Sequence, residues 1–247
     1  MTMEKKKDKK RLDILLFEKG LAETRTKAQA FIMGGGVLVN GQPEYKPGAL
    51  FSQKDEIELK DINPYVSRGG LKLESAVKAL NIGLSGFICL DIGASTGGFT
   101  DCMLQKGALK VYAVDVGSGQ LHYKLRQDKR VVNIENVNFR YFDGSLIKDE
   151  IDFAAIDVSF ISLEKILPAA YKSVKPGGFV LAMVKPQFEL GPSEIKKGVV
   201  RDESLRNKAI SKIKQCALEL GFTIISEADS GLKGPKGNLE HFIFLKK

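Results

Sequence analysis

The chain has 247 residues, 43% apolar and 28% charged, with 38 Lys and Arg against 30 Asp and Glu for a formal net charge of +8. That length suits one large or two unequal globular domains, and the charge balance excludes a chain too polar to bury a core while favouring an anionic partner such as nucleic acid. Three widely spaced cysteines (Cys89, Cys102, Cys216) exclude a disulfide framework and a zinc site, and no apolar run approaches the roughly 18 residues of a membrane span.

The first ten residues are lysine-rich and lead into no apolar segment, so no export signal is expected, no membrane partner either, and a reducing cytoplasm is the expected location. Leu12, Leu15 and Leu16, followed by Lys19-Gly20, predict a short helix with a glycine stop. Thr24 caps a second helix from Arg25 to about Met33, which Gly34-Gly35-Gly36 ends. Val37-Leu-Val-Asn40-Gly41 predicts a strand entering an Asn-Gly turn, and Asp55 to Leu59 an alternating strand that closes a small sheet. Residues 1–62 therefore read as a compact α+β module.

Arg11-Leu-Asp13, Leu15-Leu16, Gly20-Leu-Ala22, Thr24-Arg25, Ala28, Ile32, Gly36-Val37 and Val39-Asn40-Gly41 together resemble the S-four-type RNA-binding domain. The resemblance implies a basic face turned to structured RNA, with Arg11, Arg25 and Lys27 as candidate phosphate contacts. A merely solvated helix face is the alternative for each of them.

Pro64 biases Asn63 away from helix and the apolar period lapses, so residues 63–66 are assigned to a linker and 67–247 to a second domain. Ser67 caps a helix carrying Leu71, Leu73, Val77 and Leu80. Strands expected at 87–92, 110–115, 131–135, 152–157 and 178–185 alternate with helices, the signature of an α/β fold with a doubly wound, mostly parallel sheet. Two last strands, 222–228 and 239–245, are joined by a loop over 231–238 too short for a crossover helix, so an antiparallel C-terminal hairpin is expected.

Leu90-Asp-Ile-Gly-Ala-Ser-Thr-Gly-Gly-Phe-Thr100 ends a buried strand in an acid and breaks into a glycine loop, where Gly93, Gly97 and Gly98 let backbone N–H groups approach a ligand. Asp115 closes the next strand, where a Rossmann-like unit holds ribose hydroxyls, so the ligand contains a nucleoside. The loop lacks the Gly-Lys-Ser/Thr of a P-loop, and Ser95 replaces the second glycine of a dinucleotide fingerprint, which disfavours ATP and NAD. The pattern is similar to the first motif of S-adenosylmethionine-dependent methyltransferases, and it nominates Asp91, Gly93, Ala94, Ser95, Gly97, Gly98, Asp115 and Val116 for the cofactor.

The carboxyl ends of the strands are where an open α/β sheet does its chemistry. Asp157 and Lys185 end the fourth and fifth strands, Glu240 begins the last, and Lys72 lies on the domain's first helix. A lysine closing an apolar strand needs an acid, and a salt bridge with Asp157 is its structural explanation. Desolvation and a second cation nearby would instead turn such a lysine into a general base for a hydroxyl.

Ser67-Arg-Gly-Gly-Leu-Lys72-Leu, the Asp91 to Thr100 loop, Asp115-Val-Gly-Ser-Gly-Gln-Leu121, Asp157-Val-Ser-Phe-Ile-Ser-Leu163, Val184-Lys-Pro-Gln-Phe-Glu189 and Gly237-Asn-Leu-Glu240 resemble the TlyA (hemolysin A) family, whose catalytic domain is similar to FtsJ-type ribose 2′-O-methyltransferases. The resemblance implies a Rossmann-like methyltransferase fold, S-adenosylmethionine as cofactor, ribosomal RNA or subunits as partner and a cytidine 2′-hydroxyl as acceptor. It implies a catalytic tetrad of Lys72, Asp157, Lys185 and Glu240 with Lys185 as base. Phe160, Asn138 and Asp157 then lie by the cofactor, and Arg68 joins the RNA candidates. Two departures are Lys236, where a small polar residue is expected, and the linker, which lacks basic and tryptophan character. No metal and no protein partner are expected. The competing readings are a base methyltransferase, which lacks its Asn-Pro-Pro-Tyr turn or cysteine nucleophile here, a non-catalytic ribosome-assembly factor, and a membrane-active hemolysin.

Overall fold

The computed structural model describes residues 9–60, 63–191, 194–195, 198–234 and 236–247. Most of the lysine-rich start and two residues before the expected linker lie outside them. The chain divides into two compact units, Met1–Asn63 and Pro64–Lys247.

The first unit comprises β1 (Lys9–Arg11), α1 (Leu12–Glu18), α2 (Arg25–Met33), β2 (Val37–Val39), β3 (Gln42–Pro43), β4 (Leu50–Ser52) and β5 (Ile57–Leu59). Thr24 accepts a hydrogen bond from the Lys27 N–H, a cap worth about 1 kcal/mol. Asn40 and Gly41 both take positive φ (51° and 76°), which turns β2 back onto β3. β2 is the centre of a three-stranded sheet between β3 and β5, while β1 pairs separately with β4. Leu12, Leu16, Ala28, Ile32, Val37 and Val39 form the core.

The second unit contains α3 (Arg68–Ala79), β6 (Ile88–Ile92), α4 (Gly98–Gln105), β7 (Lys110–Val114), α5 (Tyr123–Arg126), β8 (Val131–Ile134), β9 (Ile151–Ile156), α6 (Leu167–Ser173), β10 (Val174–Val184), α7 (Pro186–Glu189), α8 (Glu203–Glu219), β11 (Thr223–Asp229) and β12 (His241–Lys246). Its seven strands are ordered β11-β12-β10-β9-β6-β7-β8. All neighbours are parallel except that β12 runs antiparallel to β10 and β11. Successive residues feed opposite cores: Leu90, Val114, Ile156 and Val180 face α6 and α8, and Cys89, Val111, Phe153 and Leu181 face α3 and α4. That alternation explains why each strand reads as a continuous apolar run.

Part of the expected linker belongs to this unit. Tyr65 is buried in the α3–α4 core, Val66 N–H donates to Asp101 and Gln105 Nε2 donates to the Pro64 carbonyl. Ser67 stands at the start of α3 without capping it through its side chain. Its hydroxyl lies instead where a Cβ on Gly98 would come within 2.3 Å, so it fills the junction of α3 and α4. Among the described residues no helix is long and apolar enough to cross a membrane, and no three His, Cys, Asp or Glu side chains are grouped to hold a metal.

Candidate active site

The order of strands reverses beside β6, whose neighbours are β7 and β9, and the crevice opens at the carboxyl ends of β6 and β9. Asp157 N–H donates to the Ile92 carbonyl at 3.0 Å, which draws the two exit loops together. Gly93 sits between them with φ +87°, and a Cβ there would stand 2.6 Å from the Asp157 carbonyl oxygen, so only glycine fits.

Asp91 is fully buried. Its Oδ2 accepts from Thr100 N (2.8 Å) and Thr100 Oγ1 (2.6 Å), while Oδ1 has no hydrogen-bond donor among the described residues. Burial pushes its carboxyl up to about 7, against the lowering effect of Thr100. A buried carboxylate oxygen without a donor, on a residue that lines a pocket, is an unmet acceptor that a donor or cation of a ligand would satisfy. Asp115 accepts from Ser95 N–H (2.8 Å) and Gly117 N–H (2.7 Å), fixing the carboxylate at the lip.

Asp91, Gly93, Ala94, Ser95 and Gly98 line one pocket with Arg68, Lys72, Asp157 and Lys185. Ser95, Asp115, Val116, Asn138, Asp157 and Phe160 line the adjoining one. Asn138 Oδ1 accepts from Arg140 N–H at 3.1 Å and starts a short turn, leaving the amide nitrogen for a ligand. Gly97 lines neither pocket: its φ of +91° makes the turn, and a Cβ would strike Leu125 and Leu121 within 2.7 Å. Its role is packing, and a sequence motif does not separate that role from ligand contact.

Two ion pairs line the acceptor side, one buried at both ends and one buried at its lysine. Lys72 Nζ meets Glu240 Oε2 at 2.5 Å, joining α3 to the start of β12. Lys185 Nζ meets Asp157 Oδ1 at 2.5 Å and donates to Ser159 Oγ at 2.8 Å. Pro186 follows Lys185 directly, ending β10 and starting α7, which leaves Lys185 at the strand's open tip. All four charged groups line one cavity with Ser159, Phe160, Gln187, Phe188, Lys236 and Asn238. Phe160 is 91% exposed and holds φ +63°, a strained conformation for an aromatic residue, with its ring 5.1 Å from that of Phe188.

The model of the FtsJ-like methyltransferase family matches residues 65–247, and that of the S4 domain matches 10–57. The chain belongs to the FtsJ-like methyltransferase family. A 46% identical relative over 94% of this chain and 99% of its own length is Hemolysin A of Brachyspira hyodysenteriae. A 39% identical one, over 96% of this chain and 89% of its own, is the 16S/23S rRNA (cytidine-2′-O)-methyltransferase TlyA of Mycobacterium tuberculosis. A solved structure from Streptococcus thermophilus under the working name hemolysin is 46% identical, covers 97% of this chain and 89% of that one, and superposes with a TM-score of 0.75.

The methyl donor of such a methyltransferase, S-adenosylmethionine, is a nucleoside carrying positive charge, and the crevice fits it: the buried donorless oxygen of Asp91 suits the charge and Asp115 at the lip suits ribose hydroxyls. Reading from sequence missed Thr100, Ser159, Gln187, Phe188 and Asn238. Asn238 accepts from Val200 N–H (2.9 Å) and donates to the Gly198 carbonyl (3.0 Å), bracing the loop ahead of Glu240. Ser159 and Thr100 sit inside the quoted motifs, so small hydroxyls next to the acids were the available signal.

The cations nominated for RNA differ in their commitments. Arg11 makes a two-point ion pair with the buried Asp13 (3.0 Å each), Arg25 reaches the same carboxylate at 3.3 Å, and Gln29 donates to it at 2.8 Å. These bonds, Arg11's foremost, hold the Asp13 carboxyl well below the usual carboxylate range. Lys27 pairs with Glu23. Arg68 donates to the Lys233 carbonyl at 3.2 Å.

Proposed function

We propose that this protein transfers a methyl group from S-adenosylmethionine to the 2′-hydroxyl of a cytidine in ribosomal RNA, acting in the cytoplasm. The observation that carries the reading is two buried lysines, each on a carboxylate, Lys72 with Glu240 and Lys185 with Asp157, in one cavity beside the nucleoside crevice. An exocyclic amine would not need such a base, whereas a ribose hydroxyl must lose its proton as its oxygen attacks. The name of the Mycobacterium tuberculosis relative supports the cytidine and the ribosomal RNA.

Bound in the crevice, the cofactor supplies an electrophilic methyl group on a sulfonium that leaves as a neutral thioether. Asp91 offers its donorless oxygen to the positive charge, Asp115 and Asn138 bind the nucleoside, Gly93, Ala94, Ser95 and Gly98 shape the floor, and Val116 and Phe160 flank it. Lys185, entering the step as the free amine once its ammonium proton has gone to solvent, takes the proton of the 2′-hydroxyl at Nζ, held on line by Asp157 and Ser159. Lys72, pinned by Glu240, places a second ammonium group on the wall of the same cavity. In the first unit Arg11, Arg25 and Lys27 face RNA phosphates through the half of each side chain that Asp13 and Glu23 leave exposed, and Arg68 does so at the catalytic mouth.

The test is to incubate the purified protein and methyl-labelled cofactor with each ribosomal subunit, digest the RNA to nucleosides and separate them. Label in 2′-O-methylcytidine is the expected result. Label on a base, or none in either subunit, overturns the reading.

A further inference from the structure

Beyond the acceptor cavity lies a second, open groove, which also touches the cofactor crevice at Phe160 and Ile161. The groove and the acceptor cavity share Phe160, Gln187 and Phe188, so the groove continues the acceptor cavity. Its walls are the loop after β9, through Ile161, and the end of α7, through Leu190, with Arg140 and Lys165 at the rim.

The walls are held together before any ligand arrives. Glu189, buried at the end of α7, accepts from Ser162 Oγ at 2.5 Å and Leu163 N–H at 3.0 Å, and burial pushes its carboxyl up. The rim is electropositive and uncommitted: neither Arg140 nor Lys165 has a carboxylate partner among the described residues. The acid next to Lys165, Glu164, is taken by Lys212 at 2.6 Å. Arg140 lies 5.1 Å over the exposed ring of Tyr141. By contrast Lys110 and Lys175, at the opposite end of the sheet, are both paired with aspartates.

A built groove with apolar walls, two free cations and direct continuity with the cavity that takes the acceptor ribose fits one occupant. We propose that it seats the single RNA strand flanking the acceptor nucleotide, with Arg140 and Lys165 on its phosphates and Ile161 and Leu190 against its base. The inference rests on the ribose reading, because a hydroxyl that reaches buried Lys185 belongs to a nucleotide drawn out of its helix, and its neighbour must leave along an open path. Each phosphate contact on a single strand contributes about −0.7 to the slope of log affinity against log salt.

The experiment compares the parent chain with Arg140→Ala/Lys165→Ala and with Lys78→Ala/Lys172→Ala, a control that removes the same charge from helix ends away from both cavities. Subunit binding is measured by filter retention over a salt series, and methyl transfer in parallel. The expected result for the rim pair is a 10- to 100-fold rise in KM and a binding slope shallower by roughly 1.4, with kcat and S-adenosylhomocysteine affinity unchanged and the control pair like the parent. An unchanged slope and KM, or an equal change in the control pair, overturns the groove. Transfer to a base by the parent with the slope difference intact overturns the ribose reading and leaves the groove supported.

Discussion

The two halves of the catalytic crevice are built on different plans. The cofactor half is organised around one continuous stretch, Asp91 to Thr100, to which later strand ends add Asp115 and Asn138, and the stretch works largely through backbone: Gly93 closes on the Asp157 carbonyl, and Asp91 is held by its own loop at Thr100. The acceptor half comes from four charged side chains on four elements, and its Lys72–Glu240 contact spans 168 positions of sequence. A loop can preform a ligand site by itself, whereas the acceptor half exists only when the whole sheet is assembled. Damage to the second should therefore register in folding and transfer together, and damage to the first in cofactor binding alone.

The largest effect is expected from Glu240→Ala, which leaves the Lys72 ammonium buried without its partner and should cost about 3 to 5 kcal/mol, read by denaturant unfolding. Adding Lys72→Met should recover most of that stability without restoring transfer. Equal stability of the single and double variants would mean that the pair is not a buried charge contact, and the contrast between the halves would fail.

A smaller effect, read first in cofactor binding, is expected at Asp91. Its carboxyl is raised by burial to about 7, so below that pH it takes up a proton and loses the negative charge that a cationic ligand needs. S-adenosylmethionine affinity of the parent, measured without RNA, should hold steady above pH 7 and weaken by up to about tenfold per unit below it. Asp91→Asn should bind more weakly at pH 8 and show a flat profile. Calorimetric titration at pH 6, 7 and 8 decides, and a profile in the parent as flat as in the variant would refute the role. In stability the sign is opposite: with its folded value raised, neutral Asp91 favours the folded chain as pH falls from 7 towards 4 in the absence of ligand.

The smallest effect is Thr100→Val, which removes the hydroxyl hydrogen bond to Asp91 but keeps the one from the backbone. A loss of about 1 kcal/mol in cofactor affinity is expected, with transfer at saturating cofactor intact. A large fall in transfer would show that the cofactor half also positions the reacting groups.

What was legible in the sequence follows the same division. Strands β6, β7 and β9 announce themselves as apolar runs because both sheet faces are buried, and the order of elements implies the parallel sheet. β1 and β4 do not, since Lys9–Arg11 and Leu50–Ser52 are strands only by virtue of each other. β10 starts at Val174, before its expected 178, because pairing of Val174 with Ile151 carries the strand across Pro176 and Gly177 with a register shift. Residues 64–66 read as linker for their proline, yet Tyr65 fills space that Gly70 leaves open, a fit between two residues no local pattern reveals. The position of the four charged residues at strand ends was legible. So was the contact of Lys185 with Asp157, since a lysine ending an apolar strand needs an acid. The contact of Lys72 with Glu240 was not, because it depends on side-chain reach across the folded sheet. Nor was the commitment of Arg11 and Arg25 to Asp13, which turns exposed cations into partly structural ones.

The central claim is that Lys185 accepts the proton of a ribose hydroxyl, and Lys185→Arg tests it most directly. Arginine keeps the charge and the reach to Asp157 but does not give up its proton near neutral pH. Single-turnover methyl transfer at saturating cofactor, on the ribosomal subunit that the parent modifies, should fall by about 10²- to 10⁴-fold in this variant while unfolding stability and S-adenosylhomocysteine affinity stay within about twofold of the parent. Transfer at the parent rate by Lys185→Arg would contradict the account.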